Sequence, residues 1–203
     1  MALLKWFENI AKGAAAIILI VLGLLYTYQD NLLYHPAPPG FPRTVAENPP
    51  GYQSPSEWSK NGNRRRKDSA SEDAIPFEDY YVTTDDGKKI HVWLLLQENS
   101  ENVPTLIYFH GDIESQVIES CSFPANPNPT AGNAGNMGLR LKNAALMYAL
   151  CNINIIMMDY RGYGSSEGTP TEKGLMLDSL AVLDFAKSHP KYQTCFCYAR
   201  PYH

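Results

Sequence analysis

Apolar residues follow three different patterns along this chain. From Gly13 to Gln29 they run with no charge at all, and Ala, Ile, Leu and Val fill most positions. At about 1.5 Å per residue that run makes a helix of roughly 25 Å. A hydrocarbon core is about 30 Å thick, so the run nearly spans it. Trp6, Phe7, Tyr26 and Tyr28 flank it as interfacial aromatics do. No polar face breaks the run, which argues against a buried or surface helix of a globular domain. No A-x-A cleavage site follows it, which argues against a removed signal peptide. The pattern predicts a single-pass membrane anchor over 13–29, behind a short N-terminal segment over 1–12.

The second regime, 30–75, has no hydrophobic period. Pro36 to Pro55 holds seven of the chain's 15 prolines. Proline fixes φ and lacks the amide donor, so neither helix nor central strand is expected there. Lys60 to Asp73 is polar and contains the run Arg64-Arg65-Arg66-Lys67. Such runs can bind anionic lipid or act as nuclear signals, but a solvated linker is the plainer reading. The expectation is a Pro-rich, charged and poorly structured linker.

From Pro76 onward the pattern alternates between the periods of strand and helix. Tyr80–Thr84 and Lys89–Leu96 flank the turn signal Asp85-Asp86-Gly87 and predict a hairpin. Thr105–Phe109 and Ile153–Met158 are unbroken apolar runs, as buried parallel strands are. Met137–Leu150 has helical spacing. So does Thr171–Ser188, with Leu175, Leu177, Leu180, Val182, Leu183 and Phe185 as its expected apolar face. Thr169-Pro170-Thr171-Glu172 offers an N-cap and a first-turn proline. Hairpin, strand, helix, strand, helix implies an open α/β sheet over 76–203.

Charge and composition narrow the chemistry. Of 203 residues, 44% are hydrophobic and 19% charged, which suits a globular core. A net charge of -4 gives no electrostatic footprint for nucleic acid. Cys121, Cys151, Cys195 and Cys197 have no C-x-x-C spacing and no histidine pair nearby, so neither a zinc site nor any other cofactor is expected. Lys5, Lys12 and the terminal amine precede the apolar run and Asp30 follows it. The positive-inside rule then places the N-terminus in the cytosol and the bulk of the chain in a lumen or outside the cell.

Four stretches carry specific motifs: Tyr108-Phe109-His110-Gly111, Asn133-Ala134-Gly135-Asn136, Met158-Asp159-Tyr160-Arg161-Gly162-Tyr163-Gly164 and Ser166-Glu167-Gly168. They resemble the F-H-G-N-A-G-N and D-Y-R-G-Y-G-x-S-E-G motifs of a membrane-anchored α/β-hydrolase family. That family includes alpha/beta-hydrolase domain-containing protein thirteen of animals and a plant root-waving protein. Gln29-Asp30-Asn31-Leu32-Leu33-Tyr34-His35-Pro36 resembles the family's post-anchor segment. The resemblance runs from Gln29 to about Tyr192 and implies the N-terminal half of an α/β-hydrolase fold. It also implies a membrane-bound serine hydrolase of esters or thioesters, with lipid or lipidated protein as the substrate class and protein depalmitoylation as one activity.

In that fold the loop after the third strand supplies an oxyanion-hole amide. His110, Gly111, Asp112 and Asn133 are therefore the oxyanion-loop candidates. The family has Asn directly after the glycine; here the Pro/Asn/Ser-rich stretch 112–132 intervenes, as a genuine loop or as translated intron sequence. Asp112 would place a negative charge where negative charge must develop. Asp159, Tyr160, Arg161, Gly162, Gly164 and Ser166 form the family's structural motif after strand four. Gly164-Ser165-Ser166-Glu167-Gly168 also matches G-x-S-x-G, the form of a nucleophile elbow. An elbow needs strand, sharp turn and immediate helix, and here Thr169-Pro170 intervenes. An order Ser166, Asp184, His189 can be written, but His189 reads more simply as a cation at a helix C-terminus.

The family's elbow, G-R-S-L-G-G, follows strand five. This chain reads Thr194-Cys195-Phe196-Cys197-Tyr198-Ala199-Arg200-Pro201 there, so nucleophile, acid and base are all expected to be missing. Thr105–Phe109 is then expected to be an exposed sheet edge, unless Thr194–Tyr198 pairs with it as a substitute strand.

Overall fold

The computed structural model describes residues 2–66, 70–109, 135–191 and 196–199. The chain forms two compact units, Met1–Tyr34 and His35–His203.

The first unit is one helix, α1 (Ala2–Leu33), of 32 residues. It extends well past both ends of the uncharged run. The N-terminal extension is a solvated turn in which Lys12 pairs with Glu8 at 2.6 Å, four residues apart. Near the other end the Thr27 hydroxyl donates to the Gly23 carbonyl at 2.8 Å, so it adds no unsatisfied polar group. None of the apolar span is buried within the protein, and the helix is long and apolar enough to cross a membrane.

The second unit is built on a five-stranded sheet of order β1-β2-β4-β3-β5. Strands β1 (Phe77–Thr83) and β2 (Lys89–Leu95) form the expected hairpin, in register Tyr80↔Val92. The turn closes through Thr84, whose amide donates to the Lys88 carbonyl, and Gly87 takes the positive φ of 77° that the turn requires. Strands β3 (Thr105–Phe109) and β4 (Asn154–Met158) are parallel, and every residue in both is buried. Both faces are covered, which is why the sequence runs are continuously apolar. Strand β2 meets β4 antiparallel, so the sheet is mixed. The edge feared at β3 is occupied. Strand β5 (Phe196–Ala199) pairs with it in parallel, Thr105↔Phe196 through Tyr108↔Ala199, which satisfies backbone groups that would otherwise be open.

Helix α2 (Leu141–Cys151) is entered through the 3₁₀ turn Met137–Arg140, capped by the Asn136 side chain, which accepts from the Gly138 amide. It ends at Asn152 in the left-handed region, φ 50°, a conformation asparagine tolerates better than most residues. Helix α3 (Glu172–Ser188) is capped by Thr171 Oγ1, which accepts from the Gly174 amide at 3.1 Å. Pro170 therefore precedes the cap and is not in the first turn. The buried face of α3 also differs from the expected one. Gly174, Asp178, Val182 and Ala186 are buried, four residues apart, whereas Leu180 is 54% exposed. A glycine and an aspartate lead this ridge because α3 seats on the Arg161 side chain.

The 30–75 linker reading needs correction. Prolines exclude long helices and strands there, but they do not prevent side-chain burial. The segment folds into the 3₁₀ turns Val45–Glu47, Pro55–Glu57 and Ser71–Asp73. Ser54 and Glu57 form a reciprocal capping box. Trp58 is 7% exposed, its indole N–H donates to the Gly51 carbonyl at 2.7 Å, and short antiparallel bridges join Trp58 to Arg64 and Ser59 to Ala74. Trp58 and Ile75 pack into the same core as Trp93, Leu106, Tyr108, Tyr148 and Met157. The basic run is partly structural as well: Arg65 donates to the carbonyls of Ser56 at 2.7 Å and Ala70 at 2.9 Å.

If the arm belongs to this core, Trp58→Ala should remove about 3–5 kcal/mol of domain stability. Thermal unfolding of the detergent-solubilised chain would show this as a lowered midpoint with 42–66 newly open to protease. An unchanged midpoint would make the arm a linker after all.

Candidate functional site

The loop leaving β4, Asp159–Gly168, carries the buried polar residues Asp159, Arg161 and Ser166. Ser166 is 5% exposed. Its hydroxyl donates to the Asp159 carbonyl at 2.6 Å and accepts from the His91 backbone amide at 2.9 Å. Next to it the Glu167 amide donates to the Lys89 carbonyl, and the Lys89 amide donates back to the Glu167 carboxylate at 3.1 Å. Ser166 thus stitches the loop to the start of β2. Gly164, at φ 51°, lies so close to the Asp159 carboxylate that any Cβ would run into it. The other members of the written-down triad are elsewhere in different company. Asp184 faces solvent near Lys187, and His189 packs between Tyr80 and Phe185 at ring distances of 5.9 and 5.3 Å. Burial pushes His189 below the usual histidine range, against the pull of Glu78.

Arg161 ties three elements together. Its Nε and Nη2 donate to Asp178 Oδ1 at 3.0 and 2.8 Å, and its backbone amide donates to Asp178 Oδ2 at 2.8 Å. Its Nη1 and Nη2 also reach the two oxygens of Asp86, in the hairpin turn, at 2.8 and 3.0 Å. Hydrogen bonds from Arg161 hold the Asp86 carboxyl down at about 2, and those from Asp86 and Asp178 outweigh burial to raise the guanidinium further. Burial raises the Asp178 carboxyl above its ordinary value, against the opposing pull of three N–H donors of Arg161. A side chain at Gly174 would meet the Arg161 Cδ at 2.5 Å, which explains glycine in the first turn of α3.

A second chain of contacts crosses the sheet to the head of α2. The buried His91 ring lies between Asp79, Nε2 to Oδ1 at 2.9 Å, and Asp159, Nδ1 to Oδ2 at 3.7 Å. Asp159 Oδ1 accepts the Met137 amide at 2.6 Å. The adjacent Asn136 makes a reciprocal amide pair with Asn48, at 2.7 and 2.9 Å. Asn48 also donates to the Tyr52 carbonyl at 2.7 Å, and these groups leave no room for a side chain at Gly138. The arm is thereby docked on the last residue of the N-A-G-N stretch.

The motif residues Asp159, Tyr160, Arg161, Gly162, Gly164 and Ser166 are brought together in one buried loop. The oxyanion-loop candidates His110, Gly111, Asp112 and Asn133 lie outside the described residues. Among the described residues no group of His, Cys, Asp or Glu is placed to hold a metal ion. Sequence reasoning missed His91, Asp79, Asp86, Asp178 and Asn48. Asp178 had a visible signal, an acid between Leu177 and Leu180 in a largely apolar helical stretch; the others are ordinary polar residues until the chain folds.

Comparison with known proteins supplies relatives. The protein bem46 of Schizosaccharomyces pombe is 35% identical over 179 residues, 88% of this chain and 46% of bem46. The alpha/beta hydrolase domain-containing protein WAV2 of Arabidopsis thaliana is 25% identical over 172 residues, 85% of this chain and 42% of WAV2. This chain resembles the α/β-hydrolase-domain proteins. The uncharacterized membrane protein YNL320W of Saccharomyces cerevisiae is 29% identical over 171 residues, 84% of this chain and 44% of that protein. The chain thus spans about half the length of the curated relatives it matches. Among solved structures, the α/β hydrolase GrgF from Penicillium sp. sh18 superposes with a TM-score of 0.44 at 19% identity, over 61% of this chain and 37% of GrgF. No family model matches the chain. The mixed sheet and its flanking helices are consistent with the first strands and helices of an α/β-hydrolase fold.

Arg161→Ala would leave the buried Asp178 carboxylate without its cation and should cost about 3–5 kcal/mol. Asp86→Ala removes the more exposed partner and should cost much less. The acid limb follows from Asp86: its folded pKa lies below the ordinary 3.8, so its contribution is present above that value and lost as pH falls toward about 2. Chemical denaturation of the three proteins between pH 2 and 7 measures both effects; equal losses in the two variants would contradict the assignment.

Proposed function

We propose that this chain carries the oxyanion-side half of a membrane-bound serine hydrolase of esters or thioesters, and that the chain by itself does not hydrolyse. Lipid or lipidated protein is the substrate class of the complete enzyme, with protein depalmitoylation as one such activity. The observation that carries the inactive reading is Ser166. It is the serine of the G-x-S-x-G match, yet its hydroxyl is buried and committed to two backbone groups, the Asp159 carbonyl and the His91 amide. A nucleophile needs a base at its hydroxyl and an open approach for the acyl carbon. The family's elbow motif, which follows strand five, is not found in the sequence, and Thr194–Pro201 stands in its place. On this reading the chain is a membrane-tethered non-catalytic form of the hydrolase family.

The same reading makes α1 a single-pass anchor in front of the hydrolase domain, with N-terminus in the cytosol and domain lumenal or extracellular. Support comes from the length and apolar character of the helix, from the Lys5 and Lys12 bias, and from the membrane-protein relative in yeast.

Two measurements test this. A fluorophosphonate probe applied to membranes containing the chain should label no serine; a labelled Ser166 would overturn the inactive reading. Alkaline carbonate should leave the chain in the membrane pellet, and protease added outside sealed vesicles should spare the domain. Release into the soluble fraction would remove the anchor, and digestion of the domain would reverse the orientation.

A further inference from the structure

His91 is a buried histidine with no part in the function proposed above, and carboxylates face both of its ring nitrogens. Asp79, on β1, lies 2.9 Å from Nε2 and also accepts the Trp93 indole N–H at 3.2 Å. Asp159, in the loop after β4, lies 3.7 Å from Nδ1. Tyr81 of β1 stacks on the ring at 5.0 Å, and Trp93 of β2 meets it edge-on at 5.7 Å. Among the described residues, the titratable groups facing the ring are Asp79 and Tyr81 from one side and Asp159 from the other. Asp79 and Tyr81 are both about half exposed, so the ring can exchange protons with solvent although it is buried.

We propose that His91 is a positioning residue: its imidazolium, clamped between Asp79 and Asp159, sets the carboxylate that holds the Met137 amide at the head of α2. Only the imidazolium has an N–H for each carboxylate. The neutral ring keeps one N–H, and the shorter contact to Asp79 retains it. The Nδ1 lone pair then faces Asp159 Oδ2, and two acceptors oppose each other away from water. Gly164 lies against that same Oδ2, so the carboxylate has little room there. Asp159 relieves the repulsion by loosening its other oxygen, the one that accepts the Met137 amide at 2.6 Å. Met137 and the capping Asn136 enter α2 directly, so the head of that helix feels the charge on a histidine across the sheet.

Burial opposes charge on the ring, and Asp159 with Asp79 outweighs it, so the His91 pKa lies above its ordinary 6.5. A raised folded pKa means that the clamp's stabilisation is fully present below the unfolded value and is lost as pH rises through the folded one. The head of α2 should be firm in mildly acidic conditions and loose in alkaline ones. The bearing on catalysis rests on the hydrolase reading, because Asn136 ends the family's N-A-G-N motif. The clamp itself does not, since it is measured at His91 and Met137 whatever the serine probe reports.

The test uses the full chain in lipid nanodiscs. NMR of labelled histidine follows the His91 ring, and hydrogen exchange, corrected for intrinsic rate, follows the Met137 amide between pH 5.5 and 9. Protection at Met137 is expected to fall with the same midpoint as His91 deprotonation, about tenfold for each pKa unit of coupling between the two, while Ile155–Met157 stays protected. Asp79→Asn should move both midpoints together to lower pH. His91→Gln should leave protection at Met137 independent of pH. A His91 titration with no change at Met137 would overturn the proposal, as would a Met137 midpoint unmoved by Asp79→Asn. If the glutamine variant does not fold, the asparagine variant and the native titration decide alone.

Discussion

A carboxylate with no exposed surface stands at the end of the most buried strand, and much of the domain is arranged around it. Asp159 follows β4 directly, where every strand residue is inaccessible to water. A charge in such a place is costly unless donors surround it. Met137 supplies a backbone N–H from the head of α2, and His91 supplies a ring from β2. The Asp159 carbonyl takes the Ser166 hydroxyl, and its amide donates to the His91 carbonyl. One residue thus holds a helix, a strand and a loop in register. The glycine at 164 is a consequence, because the loop must pass where no side chain fits.

Arg161, two residues on, does for the outer layer what Asp159 does for the inner one. It joins the hairpin turn, the motif loop and α3 through Asp86 and Asp178. The two carboxylates differ in exposure, and so in consequence. Asp178 is sealed, so its ion pair contributes little net stability but is expensive to break. Asp86 is partly open to solvent, and water screens much of its attraction. The buried pair also decides how α3 sits. A helix whose leucines alone chose its face would bury Leu180; the need to bring Asp178 to Arg161 turns that leucine outward.

The arm before the domain shows a related principle. Prolines deny it regular structure, yet it contributes Trp58 and Ile75 to the core and Asn48 to a reciprocal amide pair. A polar pair buried that deeply must be satisfied on both sides, so it specifies one docking geometry. In the proposed hydrolase this places a segment from beside the membrane anchor directly on the family's N-A-G-N turn.

By itself the sequence determined the local elements. The uncharged run at 13–29, the period-2 hairpin around Gly87, the continuous apolar strands and the D-Y-R-G-Y-G motif each depend on neighbours a few residues away, which the chain displays in order. It also displayed the family resemblance, because motif spacing survives without any fold in view. Only the tertiary structure decided the rest. His91 with Asp79 and Asp159, Arg161 with Asp86, and Asn48 with Asn136 join residues 12 to 88 positions apart. A histidine, an aspartate or an asparagine reads as an ordinary surface residue until folding removes water and leaves a partner in its place. The linker reading failed for the same reason: composition reports what backbone a segment can adopt, whereas burial depends on what the rest of the chain brings against it.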